Sequence, residues 1–133
     1  MGQKYIAGDW VRYIGVASPR VVQITEVREE KLLIDLGECN WYLADRSEVD
    51  SIRLTGELLE KNGFKEEQHQ KEGSSEWYDF YHYDLGINIV YEVCEKESKF
   101  AVYLDGKKLR EIKHVHELQH ILWALGLNAE LNV

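Results

Sequence analysis

Proline is almost missing from this chain, one residue in 133, and cysteine is scarce at two. A single proline leaves no room for a Pro-rich linker or polyproline ligand segment. Cys39 and Cys94 are too few for a disulfide scaffold, and a chain of this length buries enough surface to fold without staples. Both read as free thiols in a reducing compartment. Long hydrophobic runs are missing too. The longest, Gly86 to Val93 and Ile121 to Leu127, fall far short of the ~20 residues that span a bilayer. The opening residues lack an apolar core with a small-residue cleavage site, and Ile6 stands where a myristoylation signal needs Ser or Thr. These absences predict a water-soluble, cytoplasmic protein with no membrane partner.

Positive charge is in deficit as well. Sixteen basic residues face 24 acidic ones, a net charge of −8. Up to Leu54 there are seven basic and nine acidic residues; beyond it, nine and fifteen. An acidic surface repels phosphate backbones, so nucleic acid is an unfavoured partner.

Short β-rich runs fill the first part of the chain: Asp9 to Ile14, Arg20 to Val27, Lys31 to Leu36 and Cys39 to Leu43. Turn residues such as Gly15, Ser18-Pro19 and Gly37-Glu38 divide them. The pattern predicts a small SH3-like barrel or bent β-sheet over residues 1–54. Leu54 to Phe64 reads as a short helix, N-capped by Thr55, with Glu57 at its positive end, Leu58 and Leu59 toward a core and Gly63 as its stop. Residues 65–75 are polar and end in Gly73-Ser74-Ser75, which predicts a mobile loop.

Strands are then expected over Trp77 to Leu85, Ile87 to Cys94, Lys99 to Leu104 and Lys108 to Ile112. Asp105-Gly106 supplies the positive φ angles of a tight hairpin between the last two. Val115 to Gly126 reads as an amphipathic helix, with Leu118, Ile121, Leu122 and Leu125 on one face and His116, His120 and Trp123 on the other. A short edge strand is expected within 129–133. The whole is an α+β chain, with a β sub-unit over 1–54 and an α+β sub-unit over 55–133.

His116-Glu117-Leu118-Gln119-His120 matches HExxH, in which two histidines one turn apart hold zinc and the glutamate serves as general base. Two features oppose that reading. Trp123 and Gly126 stand where the metzincin extension needs Gly and His, and Glu130 is the one carboxylate beyond His120. His116 and His120 are the candidate metal ligands, with His114 just outside the helix as an extra one, yet the favoured reading has neither a metal nor a catalytic residue here. His116, His120 and Trp123 are then taken as an interaction surface, because an indole beside two imidazoles off the core face calls for a second packing partner.

Trp10, Tyr13, Trp41 and Tyr42 are candidates for lining a peptide groove on the N-terminal sub-unit. The aromatic run Trp77 to Tyr83 lacks Lys and Arg and reads as sheet packing, not a base-stacking platform. No P-loop, dinucleotide-type glycine pattern, nucleophile elbow or CxxC pair occurs, so no cofactor is expected.

Ile52 to Phe64, Tyr83-Asp84-Leu85-Gly86, Val115 to His120, and the opening Gly8-Asp9-Trp10-Val11 with Val21 to Ile24 carry a resemblance. Together they resemble a family of small uncharacterised proteins from gut Bacteroidales genomes, their phages and mobile elements. Arg53 and Gly56 depart from the Pro and the acidic or polar residue of that family's helix start. The family has no established activity and is not known for peptidases, so the resemblance implies no catalytic residues. The leading expectation is a non-enzymatic accessory protein, phage or mobile-element derived, that acts through a protein partner or self-association. The alternatives are a zinc-dependent hydrolase and a nucleic-acid-associated module built on the N-terminal barrel.

Overall fold

The computed structural model describes residues 4–94 and 97–133. The chain is α+β with strand predominating, and it divides into two compact units. The first runs to Arg53 and also takes in His114–Ile121 and Val133; the second comprises Leu54–Lys113 and Leu122–Asn132. Among the described residues, no helix is long and apolar enough to cross a membrane.

The first unit holds an antiparallel sheet of β1 (Trp10–Tyr13), β2 (Arg20–Val27), β3 (Lys31–Gly37), β4 (Asn40–Asp45) and β5 (Val49–Ser51), in the order β4-β3-β2-β1-β5. A 3-10 turn, Arg46–Glu48, joins β4 to β5, and Glu48 accepts the Asp45 N–H at 3.0 Å. Alternation drives Val11, Tyr13, Val22, Ile24, Leu32, Ile34 and Ala44 into one core. β4 and β5 lie at opposite ends of the sheet order, so the sheet is not closed into a barrel by pairing between them.

In the second unit, α1 (Gly56–Lys61) is capped as the sequence implies: Leu58 N–H donates to Thr55 Oγ1 at 3.2 Å. Leu59 is the residue it buries, and Gly63 leaves the helix at φ +90°. A Cβ at Gly63 would also lie 2.8 Å from His82 Nε2, so both backbone and neighbour demand glycine.

Residues 65–75 are not a loop. Lys65–Glu72 forms β6, the edge of a five-stranded antiparallel meander with β7 (Ser75–His82), β8 (Ile87–Val93), β9 (Ser98–Leu104) and β10 (Lys107–Ile112). Every residue of β6 is exposed, so no hydrophobic alternation marked it; its ladder with β7 supplies the order. The β9–β10 hairpin turns through Asp105 (φ 52°) and Gly106 (φ 78°), both positive as the Asp-Gly pair requires. Across β6 to β9 the rings of His69, Tyr78, Tyr91 and Phe100 run side by side, with His69 on Tyr78 at 4.3 Å and Tyr91 on Phe100 at 4.3 Å.

The last helix, α2 (Val115–Ala124), gives its residues up to Ile121 to the first unit and Leu122–Ala124 to the second. The expected strand within 129–133 does not form. Asn62 holds that tail instead, donating to the Asn132 carbonyl at 2.8 Å and accepting its N–H at 2.6 Å.

Candidate functional site

The HExxH residues lie at the very start of α2, within the first unit. His114 precedes the helix, which puts Glu117 in its first turn. There the carboxylate does what acidic residues do at a helix start: Oε1 accepts the His114 backbone N–H at 3.0 Å and lies 3.0 Å from His114 Nδ1. Val115 N–H donates to the Ile52 carbonyl at 2.9 Å, a further first-turn donor satisfied.

His116 is 1 % exposed. Expected on an interaction surface off the core face, it is instead packed inside the first unit. Its ring packs against Tyr5 (centroids 5.0 Å), runs nearly parallel to His114 (5.6 Å, 16°) and meets His120 edge-on (5.4 Å, 72°). Tyr5 bonds Ser51 Oγ through its hydroxyl at 2.7 Å, and burial raises its pKa.

His120 presents Nε2 to both carboxylate oxygens of Asp9, each at 2.9 Å. Asp9 is fully buried, and Oδ2 also accepts the Ile6 N–H at 2.8 Å. Burial raises the Asp9 pKa, while the Ile6 N–H and His120 pull against that rise. Between the two histidines, Gln119 grips the backbone beside Asp9. Its Oε1 accepts the Trp10 N–H at 3.0 Å, and its Nε2 donates to the Gly8 carbonyl at 3.1 Å. Gln23 donates to the same carbonyl at 2.9 Å.

The cluster therefore does structural work. A general base needs a carboxylate directed at a reacting water, but Glu117 Oε1 is directed at the helix start. The His120 nitrogen that lies against Asp9 is committed to a carboxylate. Among the described residues, no group of three or more His, Cys, Asp or Glu is arranged to hold a metal ion. The structure brings His116 and His120 together but places Trp123, 38 % exposed, in the other unit. Tyr5, Asp9 and Gln119 escaped the sequence reading. The one signal for Gln119 was its position between two histidines on a helix; nothing local linked Asp9 to a residue 111 positions away.

The expected groove of Trp10, Tyr13, Trp41 and Tyr42 does not exist as one surface. Trp10, Gln23, Asp35 and Trp41 oppose one another in a row across β1 to β4 and share a face. Tyr13 is buried on the other face, with the Tyr42 ring 5.6 Å away. Strand alternation separates the pairs. Trp77 to Tyr83 divides in the same way, Tyr78 and Phe80 lying on one face of β7 and Trp77, Asp79 and Tyr81 on the other.

Compared with family models, curated proteins and solved structures, the chain matches none of them.

Proposed function

We propose that this chain is a non-enzymatic accessory protein that acts through protein contacts, and that the free side of β4 is its docking edge. One observation carries the reading. Of the four sheet edges among the described residues, β6 (KEEQHQKE) and β10 (KKLREI) are studded with charge, and β5 is three residues long. Those are the usual defences against unwanted strand pairing. β4 (NWYLAD) has six residues, no Lys or Arg, and exposes Trp41 at 53 % and Tyr42 at 39 %. An undefended edge flanked by large rings suits β-strand addition by a partner or a second copy. The strand order and the 3-10 turn before β5 support assigning the first unit to the SH3-like barrels.

Sedimentation and hydrogen exchange test this together. Self-association should protect the β4 amides as concentration rises, and Trp41→Lys with Tyr42→Lys should abolish both effects while leaving the fold intact. Association that survives this double variant would sink the docking edge. Stoichiometric zinc uptake lost in His116→Ala would sink the non-enzymatic reading.

A further inference from the structure

On the second sheet, directly opposed residues leave the same face in rows. Trp77 faces Glu92, which faces Lys99; the next row is Gln68, Asp79, Val90 and Ala101; the row beyond holds Tyr81, Asn88 and Tyr103. The middle row is short at Val90 and Ala101, where the rows on either side carry the longer Glu92 and Lys99 and the longer Asn88 and Tyr103, and Trp77 and Tyr81 flank Asp79 on β7. A trough follows from that difference in length. It encloses about 310 Å³, lined by Gln68, Gln70, Glu72, Trp77, Asp79 and Val90, a size at the lower end of small-molecule sites.

Of the polar groups in the trough, the Asp79 carboxylate is held by a neighbour, and the exposed amides of Gln68 and Gln70 stand beside it. Asn88 Nδ2 donates to Asp79 Oδ1 and to the Phe80 carbonyl, which fixes the carboxylate. Asp79 Oδ2 and the amides of Gln68 and Gln70 have no hydrogen-bond partner among the described residues.

We propose that this trough binds a neutral sugar ring, with one C–H face against the Trp77 indole and adjacent hydroxyls held by Gln68, Gln70 and Asp79. A sugar hydroxyl donates and accepts at once, and amides beside a fixed carboxylate supply both functions. The indole face is electron-rich and meets polarised C–H groups favourably. Asp79 and Glu72 oppose a phosphate or other anion. A permanent cation is less well served, because Lys99 stands in the row of Trp77 and Glu92. This site is on the other sheet from β4 and stands apart from the docking proposal.

Titration of the intact chain with methyl glucoside, methyl galactoside and N-acetylglucosamine, followed by NMR of the Trp77 indole N–H and of the backbone amides of Gln68, Asp79 and Val90, which remain as reporters in every variant, tests it. At least one of these sugars should shift the Trp77 signal saturably, with a Kd of about 1–10 mM, a range ordinary for a single ring in an open site. Trp77→Ala should abolish binding, Asp79→Asn should weaken it about tenfold, and Trp41→Ala should leave it unchanged. Trp77→Phe, which keeps an aromatic face, should retain measurable binding and guards against misfolding of the alanine variant. Three results would each overturn the proposal: no saturable shift at about 100 mM of any of the three sugars, shifts indifferent to both Trp77→Ala and Asp79→Asn, or saturation by tetramethylammonium or adenosine with none by the sugars.

Discussion

The two sheets reach a defined structure by different means. In the second, β7, β8 and β9 pair without interruption over seven residues, and irregularities are confined to the ladders of the outer strands β6 and β10. Its order rests on opposed apolar and aromatic side chains such as Phe80, Ile89 and Val102 in one row. In the first, irregularities interrupt both the β2–β3 and β3–β4 ladders. Here the chain before β1 is fixed by buried polar groups, Asp9, His116 and Gln119, that each meet named neighbours. Uninterrupted repetition orders the middle of the second sheet, whereas the first adds to its apolar core a few specific bonds that fix the chain entering β1. Buried polar networks specify strongly but fail abruptly when one member is lost.

Mutations can break this contrast. The largest effect is expected at Phe80→Ala, about 3–5 kcal/mol, because a ring 4 % exposed leaves a cavity in the regular sheet. Gln119→Ala should cost about 1–3 kcal/mol by stranding the Trp10 N–H and removing a donor from the Gly8 carbonyl. Chemical denaturation measures both, and equal small losses would erase the distinction between the sheets. Thr55→Ala, which removes the α1 cap, should cost about 1 kcal/mol in the same assay.

The subtlest test is a pH profile of Asp9→Asn. Burial raises the Asp9 pKa in the folded state, so the folded chain holds that proton more tightly than the unfolded one. The stability linked to the protonated form is present below the unfolded value, about 4, and is lost as pH rises through the higher folded value. Wild type should therefore lose stability relative to Asp9→Asn as pH climbs above about 4. A gap that stayed flat, or moved the other way, would show that ionised Asp9 is not disfavoured by its surroundings.

Features written locally were legible in the sequence. The Thr55 cap, the Gly63 stop and the Asp105-Gly106 turn each depend on a few adjacent residues, and all three stand in the structure. β2 was read to its ends, because its flanking turns and its β-branched content are local signals. β6 was missed: a strand wholly exposed on an edge takes its order from the strand beside it, and its own composition is that of a loop. The helix faces of α2 were half right. Leu118, Ile121 and Leu122 are buried as expected, but Leu125 lies past the helix end and is exposed, and His116 is buried too, because helical periodicity separates polar from apolar residues and is silent about polar residues that find partners. Asp9 could not be found at all without the fold.

The position of Glu117 bears on how short motifs are searched. With His114 just ahead of the helix, the HExxH pattern begins at the second residue of α2, so its glutamate falls where helix starts recruit carboxylates whatever the protein does. Histidines there are equally free to serve as packing groups. A pattern filter that also demanded a full helical turn before the first histidine would reject this chain on its sequence. Applied to genome-scale lists of candidate zinc peptidases, such a filter would remove matches created by the grammar of helix initiation.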